Sequence, residues 1–175
     1  MLKIKHRMEY IIETPRVGLR KFTLADTDFI LRLLNSPGWL QFIGDRHVKT
    51  HQQAVRYLQQ GPLQSYHQNG FGLCLVEKKD DKTPIGMCGL LKRNSLENPD
   101  IGFAFLEDFQ GQGYAFEMAS ATLTYATNSL GISKIWAITL PNNLKSIRLL
   151  EKLGLYYLKT QWFADSKQEL FIYSN

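Results

Sequence analysis

Apolar side chains recur along this chain with two different periods, and each change of period marks a boundary. An extended stretch from Tyr10 breaks at Pro15 and resumes as an alternating strand over residues 17–22. Thr23-Leu24-Ala25-Asp26 then offers a helix cap, and Phe29, Ile30, Leu33 and Leu34 fall on one helical face before Asn35-Ser36-Pro37-Gly38 ends it. A second amphipathic helix follows Thr50, with Ala54, Val55 and Leu58 turned inward. Residues 71–77 and 85–92 read as two strands of a hairpin across the charged turn 78–84. A third strand, 100–106, follows the turn 94–99, with Ile101, Phe103 and Phe105 on one face and Gly102, Ala104 and Leu106 on the other.

The period then changes to that of a helix. Ala115, Met118, Ala119, Thr122, Tyr125 and Ala126 form a stripe of mostly small residues over 111–129, which lets this helix sit close to a sheet, and Gly131 suits its end. Residues 134–140 read as a strand, and Pro141-Asn142-Asn143 opens a helix carried by Leu144, Ile147 and Leu150 and stopped by Gly154. Two more alternating strands, 155–160 and 168–173, close the chain, and residues 1–8 are expected to be loosely ordered.

The passage from the 100–106 strand into the 111–129 helix carries the candidate chemistry. Its opening turn, Gln110-Gly111-Gln112-Gly113-Tyr114-Ala115, has two glycines and no carboxylate until Glu117. Bare backbone N–H groups and the positive end of the helix dipole therefore point outward together, which makes an anion site. No Lys follows the glycines, so a Gly-Lys-Ser/Thr nucleotide loop is disfavoured, and the spacing is not that of a dinucleotide fold.

Composition narrows the remaining classes. A chain of 175 residues suits one domain, 1–175, and 21 Lys plus Arg against 16 Asp plus Glu give a net charge of +5. The basic residues are scattered, with Lys3, Lys5, His6 and Arg7 as the one dense run, so nucleic acid is not an expected partner. Cys74 and Cys88 sit in apolar strands as buried thiols without metal-ligand spacing, and His6, His47, His51 and His67 form no cluster with them: His47 and His51 are four apart but lack a third ligand nearby. No signal peptide or membrane span is visible, so a cytoplasmic protein is expected, with no metal, no membrane and a monomeric or homodimeric state.

Gln110–Ala115 resembles the Arg/Gln-x-x-Gly-x-Gly/Ala signature of the GNAT acetyltransferases. Glu13-Thr14-Pro15-Arg16-Val17-Gly18-Leu19-Arg20 resembles the opening of the subgroup that contains the ribosomal-protein N-terminal acetyltransferases, and Asn143-Leu144-Lys145-Ser146 through Glu151-Lys152-Leu153-Gly154 is similar to that family's ending. The resemblance implies an α/β (α+β) fold, a central mixed and mostly antiparallel sheet of about seven strands with flanking helices, splayed at an acetyl-CoA site. It further implies transfer of an acetyl group from acetyl-CoA to a primary amine, either a protein N-terminus or a small molecule.

Under that resemblance the diphosphate of the cofactor lies on Gln110, Gly111, Gln112, Gly113, Tyr114 and Ala115. The pantetheine arm lies along the strand edge at Phe105 and Leu106, and Asn143 reaches the same arm. Ser146 faces the departing sulfur, and Leu150 stands where many members have an acidic Tyr. Asp100 and Asp165 are the candidate bases, chosen over Glu97, Glu107 and Asp108. Trp39 and Phe42, in an aromatic stretch over 38–45, are the candidate acceptor wall, with plain core as the alternative that their helical spacing offers. An α-amine, with an ordinary pKa of about 8 against about 10.4 for Lys, needs less help from a base. A CoA-binding regulatory module without catalysis is the rival from another class.

Overall fold

The computed structural model describes residues 9–175, so residues 1–8 and their basic run lie outside the described residues. Strands β1 (Ile12–Glu13) and β2 (Val17–Arg20) make a hairpin across Thr14-Pro15-Arg16, closed by the Thr14 N–H, which donates to the Val17 carbonyl. Thr23 and Asp26 box a short 3-10 turn that leads into α1 (Thr27–Leu34). Pro37 stops α1, as its sequence suggests, yet it also starts α2 (Pro37–Phe42). In the first helical turn its missing N–H has no bond to lose. Thr50 and Gln53 form the capping box of α3 (His51–Leu58), and the chain continues through a π-helical turn, Gln59–Leu63, into α4 (Gln64–Asn69). The widened turn houses Pro62, a residue that in sequence reads as a breaker.

The second half supplies most of the sheet. Strands β3 (Leu73–Lys78), β4 (Pro84–Leu91) and β5 (Asp100–Phe105) precede α5 (Tyr114–Leu130). Then come β6 (Trp136–Thr139), α6 (Leu144–Lys152), β7 (Tyr156–Phe163) and β8 (Gln168–Ser174). One eight-stranded sheet results, in the order β1-β2-β3-β4-β5-β6-β8-β7, antiparallel at every join except β5–β6. The strand beyond the expected count is β1, two residues long and defined only by pairing Ile12 with Leu19 and Glu13 with Gly18. Helix α5 starts at Tyr114 rather than 111, because Gly111 (φ 73°) and Gly113 (φ 84°) are left-handed and end the preceding turn first.

Side-chain alternation sorts the core onto the two sheet faces. Val76, Cys88, Ile101 and Phe105 pack with Met118, Ala119 and Ala126 of α5 and with Leu150 of α6. Their neighbours Leu75 and Met87 point the other way, into Ile30, Leu33, Ala54 and Leu58 of α1 and α3. A third cluster, Leu96, Trp136, Phe163, Leu170 and Ile172, fills the β6–β8–β7 end. Cys74 and Cys88 are free and buried, and burial pushes their thiols up to about 11 and about 12.

One charged network is buried inside this architecture. Arg20 donates to both oxygens of Asp26 at 3.0 and 2.8 Å and to Glu77 at 2.9 Å, and Tyr10 donates to the other Glu77 oxygen at 2.8 Å. Burial alone would raise the Asp26 carboxyl, but Arg20 and the Thr23 N–H, which donates to it at 2.7 Å, hold it below the usual range. With a folded pKa below the unfolded one, Asp26 stabilises fully above the unfolded value, and that stability is lost as pH falls through the folded one.

Removing one partner of a buried pair strands the other, so Asp26→Ala should lower the unfolding free energy by about 3 kcal/mol at pH 7. In urea melts the deficit should shrink below about pH 4; a pH-independent loss under about 1 kcal/mol would contradict the network's role. A thiol reagent at pH 8 should label native protein only at the rate of opening and denatured protein at once, and rapid native labelling of two thiols would contradict their burial.

Candidate functional site

The join between β5 and β6 holds the candidate site, because it is hardly a join. Asp100↔Trp136 is their single register pair, made where the Trp136 N–H donates to the Pro99 carbonyl, and β6 then follows β8 instead. Beyond that rung the two parallel strands diverge. On the β4 side, the Leu106 N–H donates to Ile85, so strand alternation turns the backbone groups of Ile101, Phe103 and Phe105 toward the gap. β5 spans roughly 17 Å from the closed end at Asp100 to the open end at Phe105.

Two of the backbone groups expected to be free are already taken. The Leu106 N–H is spent on β4, and the Phe105 carbonyl accepts from Gln110 Nε2 at 2.9 Å. The edge available for an extended ligand is therefore the stretch through Phe103 to the Phe105 N–H, shifted inward from the expected Phe105–Leu106. Gln110 itself acts through its side chain as a brace on the strand end, and Gln112 braces the turn by donating to the Asp108 carbonyl at 2.7 Å.

Helix N-termini flank the mouth because β5 and β6 are parallel. α5 has Gly113 as its N-cap and no side chain capping it, so its first-turn amides keep their donors. α6 is capped by Asn143, whose side-chain oxygen accepts from the Ser146 N–H at 3.2 Å, leaving the Asn143 amide group and the Ser146 hydroxyl at the helix start. Leu150 is buried in the core, so the position of the absent Tyr is filled by packing.

The structure separates the two candidate bases. Asp100 lies at the closed end, 1% exposed, with Arg93 Nε at 2.9 and 3.1 Å from its two oxygens. Burial raises its carboxyl against the opposing pull of Arg93. Asp165 is exposed in the turn between β7 and β8, at the open end, with β6 between that strand pair and β5. Beside Asp100, Trp136 is buried with its indole N–H unpartnered among the described residues, and Lys159 Nζ stands 5.4 Å from the centre of its ring.

The expected acceptor wall is corrected at one residue. Trp39 is 5% exposed, donates to the Gly44 carbonyl at 3.0 Å and belongs to the core under α1 and α3, so its ring is not a wall. Phe42 remains partly exposed. The helical pair nevertheless borders the turn: a Cβ on Gly38 would come within 3.8 Å of Gln110 Nε2, and Arg32 pairs with Asp108 at 3.1 Å.

Residues that sequence reading passed over cluster at the start of α5. Glu117 Oε1 accepts from the Thr14 hydroxyl at 2.7 Å and the Arg16 N–H at 3.0 Å, while Arg16 Nε lies 2.6 Å from Glu117 Oε2 and Arg16 Nη1 donates to the Gln112 carbonyl at 2.9 Å. The motif 13–20 pointed at Thr14 and Arg16, but nothing in sequence joins them to a helix about a hundred positions later. A separate cavity of about 570 Å³, lined by Tyr10, Tyr66, Phe71 and Tyr125, lies on the β1–β4 side of the sheet, away from the split. Among the described residues no group of three or more His, Cys, Asp or Glu is placed to hold a metal ion, and no helix is long and apolar enough to cross a membrane.

Known proteins share both sequence and architecture with this arrangement. YkkB of Bacillus subtilis, uncharacterised, is 36% identical over 99 residues, 54% of this chain and 57% of that protein. The [Ribosomal protein uS5]-alanine N-acetyltransferase of Escherichia coli is 30% identical over 100 residues, 54% of this chain and 50% of that enzyme. The matches thus span about half the length of these two relatives. An acetyltransferase from Agrobacterium tumefaciens superposes with a TM-score of 0.80 at 21% identity, covering 94% of this chain and 92% of its own. Spermidine N-acetyltransferase from Vibrio cholerae, solved with CoA and spermine, gives 0.76 at 19%, covering 93% and 96%. A profile described as "Acetyltransferase (GNAT) domain" matches residues 16–156, most of the chain. With the split sheet and the uncapped helix beside it, that match means that this chain belongs to the GNAT family of acetyl-CoA-dependent acetyltransferases.

Proposed function

We propose that this protein acetylates a primary amine directly from acetyl-CoA, and that the amine is the α-amine of a protein N-terminus. The observation that carries the reading is the β5–β6 split, with an open row of backbone donors and acceptors leading from an uncapped helix start to a closed end. Acetyl-CoA supplies an activated acetyl thioester. The amides of Gln112 to Ala115 would hold its diphosphate, and Gly111 and Gly113 allow that close approach. The Phe103 backbone and the Phe105 N–H would hold the amide-bearing arm as a neighbouring strand would. Asn143 would bond the same arm through its free side-chain N–H groups.

An N–H of β5 directed into the gap would also meet the carbonyl oxygen as it gains negative charge. Ser146 offers the hydroxyl for the departing sulfur, since Leu150 has none. No acyl-enzyme is required, and the buried, proton-retaining Cys74 and Cys88 are unsuited to form one.

Charge around the closed end supports the α-amine over a polyamine. Asp100 is tied to Arg93, so the acid that a polycation would seek at this end is already engaged, and Lys159 over Trp136 adds a further positive charge there. With Asp100 engaged, an amine that loses its proton near pH 8 is the better nucleophile than one near 10.4. The uS5-alanine enzyme among the relatives agrees with this choice, and the spermidine enzyme keeps the small-molecule alternative open to test.

Isothermal titration should show acetyl-CoA binding, and thiol release should follow on addition of short peptides with free N-termini but not of spermidine. Turnover with spermidine alone would overturn the choice of acceptor, and binding without release on any amine would make this a regulatory module. Gly113→Glu should abolish acetyl-CoA binding while the protein still folds, its melting temperature lowered by a few degrees because a side chain at this left-handed position is strained. It sets a like charge in the anion site, in a residue at φ 84°, and retained affinity would place the diphosphate elsewhere.

A further inference from the structure

The Thr14-Pro15-Arg16 turn has no part in the reaction as described, yet it is lashed to the start of α5. Glu117 receives three bonds from it, from the Thr14 hydroxyl, the Arg16 N–H and Arg16 Nε. A second set of ties holds the turn from behind: the Lys79 N–H donates to the Arg16 carbonyl at 3.0 Å, and Lys79 Nζ donates to the Thr14 carbonyl at 3.0 Å. The Arg16 side chain is therefore held in one place although 47% of it is exposed.

What that place presents is an arginine fork with one prong uncommitted. Nε is bound to Glu117 and Nη1 to the Gln112 carbonyl, while the guanidinium lies 4.5 Å above the Tyr114 ring. Nη2 sits against Gly113, 3.2 Å from where a Cβ on that residue would stand. Gln112, Gly113 and Tyr114 are the residues whose amides would receive the diphosphate. A planar guanidinium with a free N–H pair beside those amides matches the geometry of a phosphate oxygen.

Glu117 sharpens the point. A carboxylate in the first turn of α5 would repel an anion at the helix start, and here its charge is met by Arg16. Burial alone would raise the Glu117 carboxyl, but Thr14 and Arg16 hold it below the usual range, so it stays ionised and keeps Arg16 in position.

We propose that Arg16 is a cofactor-binding residue, its Nη2 donating to a phosphate of the CoA thioester beside the α5 amides, with Glu117 as the positioning residue that aims it. This rests on the diphosphate reading above. The phosphate is either the diphosphate or the 3′-phosphate of CoA, which offer the same oxygens to a guanidinium.

Titration of acetyl-CoA into wild type, Arg16→Ala, Arg16→Lys and the double variant Arg16→Ala/Glu117→Gln separates the possibilities, with melting temperatures as the folding control. Arg16→Ala should raise Kd and KM by about 10- to 100-fold while kcat stays within about twofold. Arg16→Lys should recover part of the loss, because a point charge replaces a fork. The double variant should remain weak. Full recovery of affinity in it would mean that Arg16 merely masks Glu117, and would overturn the proposal. Unchanged affinity in Arg16→Ala would overturn it as well, leaving the proposed function intact, whereas wild type that binds no acetyl-CoA would overturn the function itself. Dephospho-CoA assigns the phosphate: an Arg16→Ala penalty that persists with it points to the diphosphate, and one that vanishes points to the 3′-phosphate.

Discussion

Two neighbouring parallel strands that touch at a single rung are the constraint on which this molecule's site depends. A strand pair that stops after Asp100↔Trp136 leaves facing rows of backbone groups without partners, which a protein keeps only where water or an extended ligand completes them. Parallel direction has a second effect. It puts the ends of β5 and β6, and so the beginnings of the helices that follow them, at one mouth. Donor-rich helix starts at the mouth and unpaired strand edges inside are consequences of one topological choice. Neither requires a catalytic side chain.

Side chains at the site mostly hold other groups still. Gln110 holds the Phe105 carbonyl, Gln112 the Asp108 carbonyl, Asn143 the Ser146 N–H, and Arg93 the carboxylate of Asp100. Gln110 fixes backbone at the gap itself, and the other three fix groups around its mouth and its closed end. Preorganised backbone amides need not reorient when charge develops, which is where such a site gains over water.

The elements were legible because their patterns are strong: Val17–Arg20, Leu73–Lys78, Asp100–Phe105 and the helix after Gly113 all fall where the hydrophobic period changes. The stretch Gln59–Asn69 was not, since Gly61 and Pro62 are the weakest helix formers and a single π turn that carries a helix through them has no periodic signal. The glycine turn announced itself by composition. Its partner Arg16 did not, because a guanidinium reaching a helix across 101 positions leaves no local signal. Trp39 was legible both as core and as wall, and the structure uses its N–H and ring within its own helical layer. Asp100 opens β5, where the alternation of 100–106 begins, and its ion pair with Arg93, seven positions earlier, spans the turn that the sequence marks at 94–99.

The sparse join also bears on how the chain moves. β6, β8 and β7 are laced to one another along their lengths, and they meet the first half of the sheet through one backbone rung, the Gln161 bond to the Ser95 carbonyl, and the packing of Ile101, Phe105 and Leu96 against Ala137, Tyr173 and Trp136. Main-chain bonds therefore tie each portion internally far more than they tie the two together. In deuterium exchange the C-terminal strands would open as their own cooperative unit, and a molecule lying in the gap would act as the missing rungs, making the two portions exchange as one.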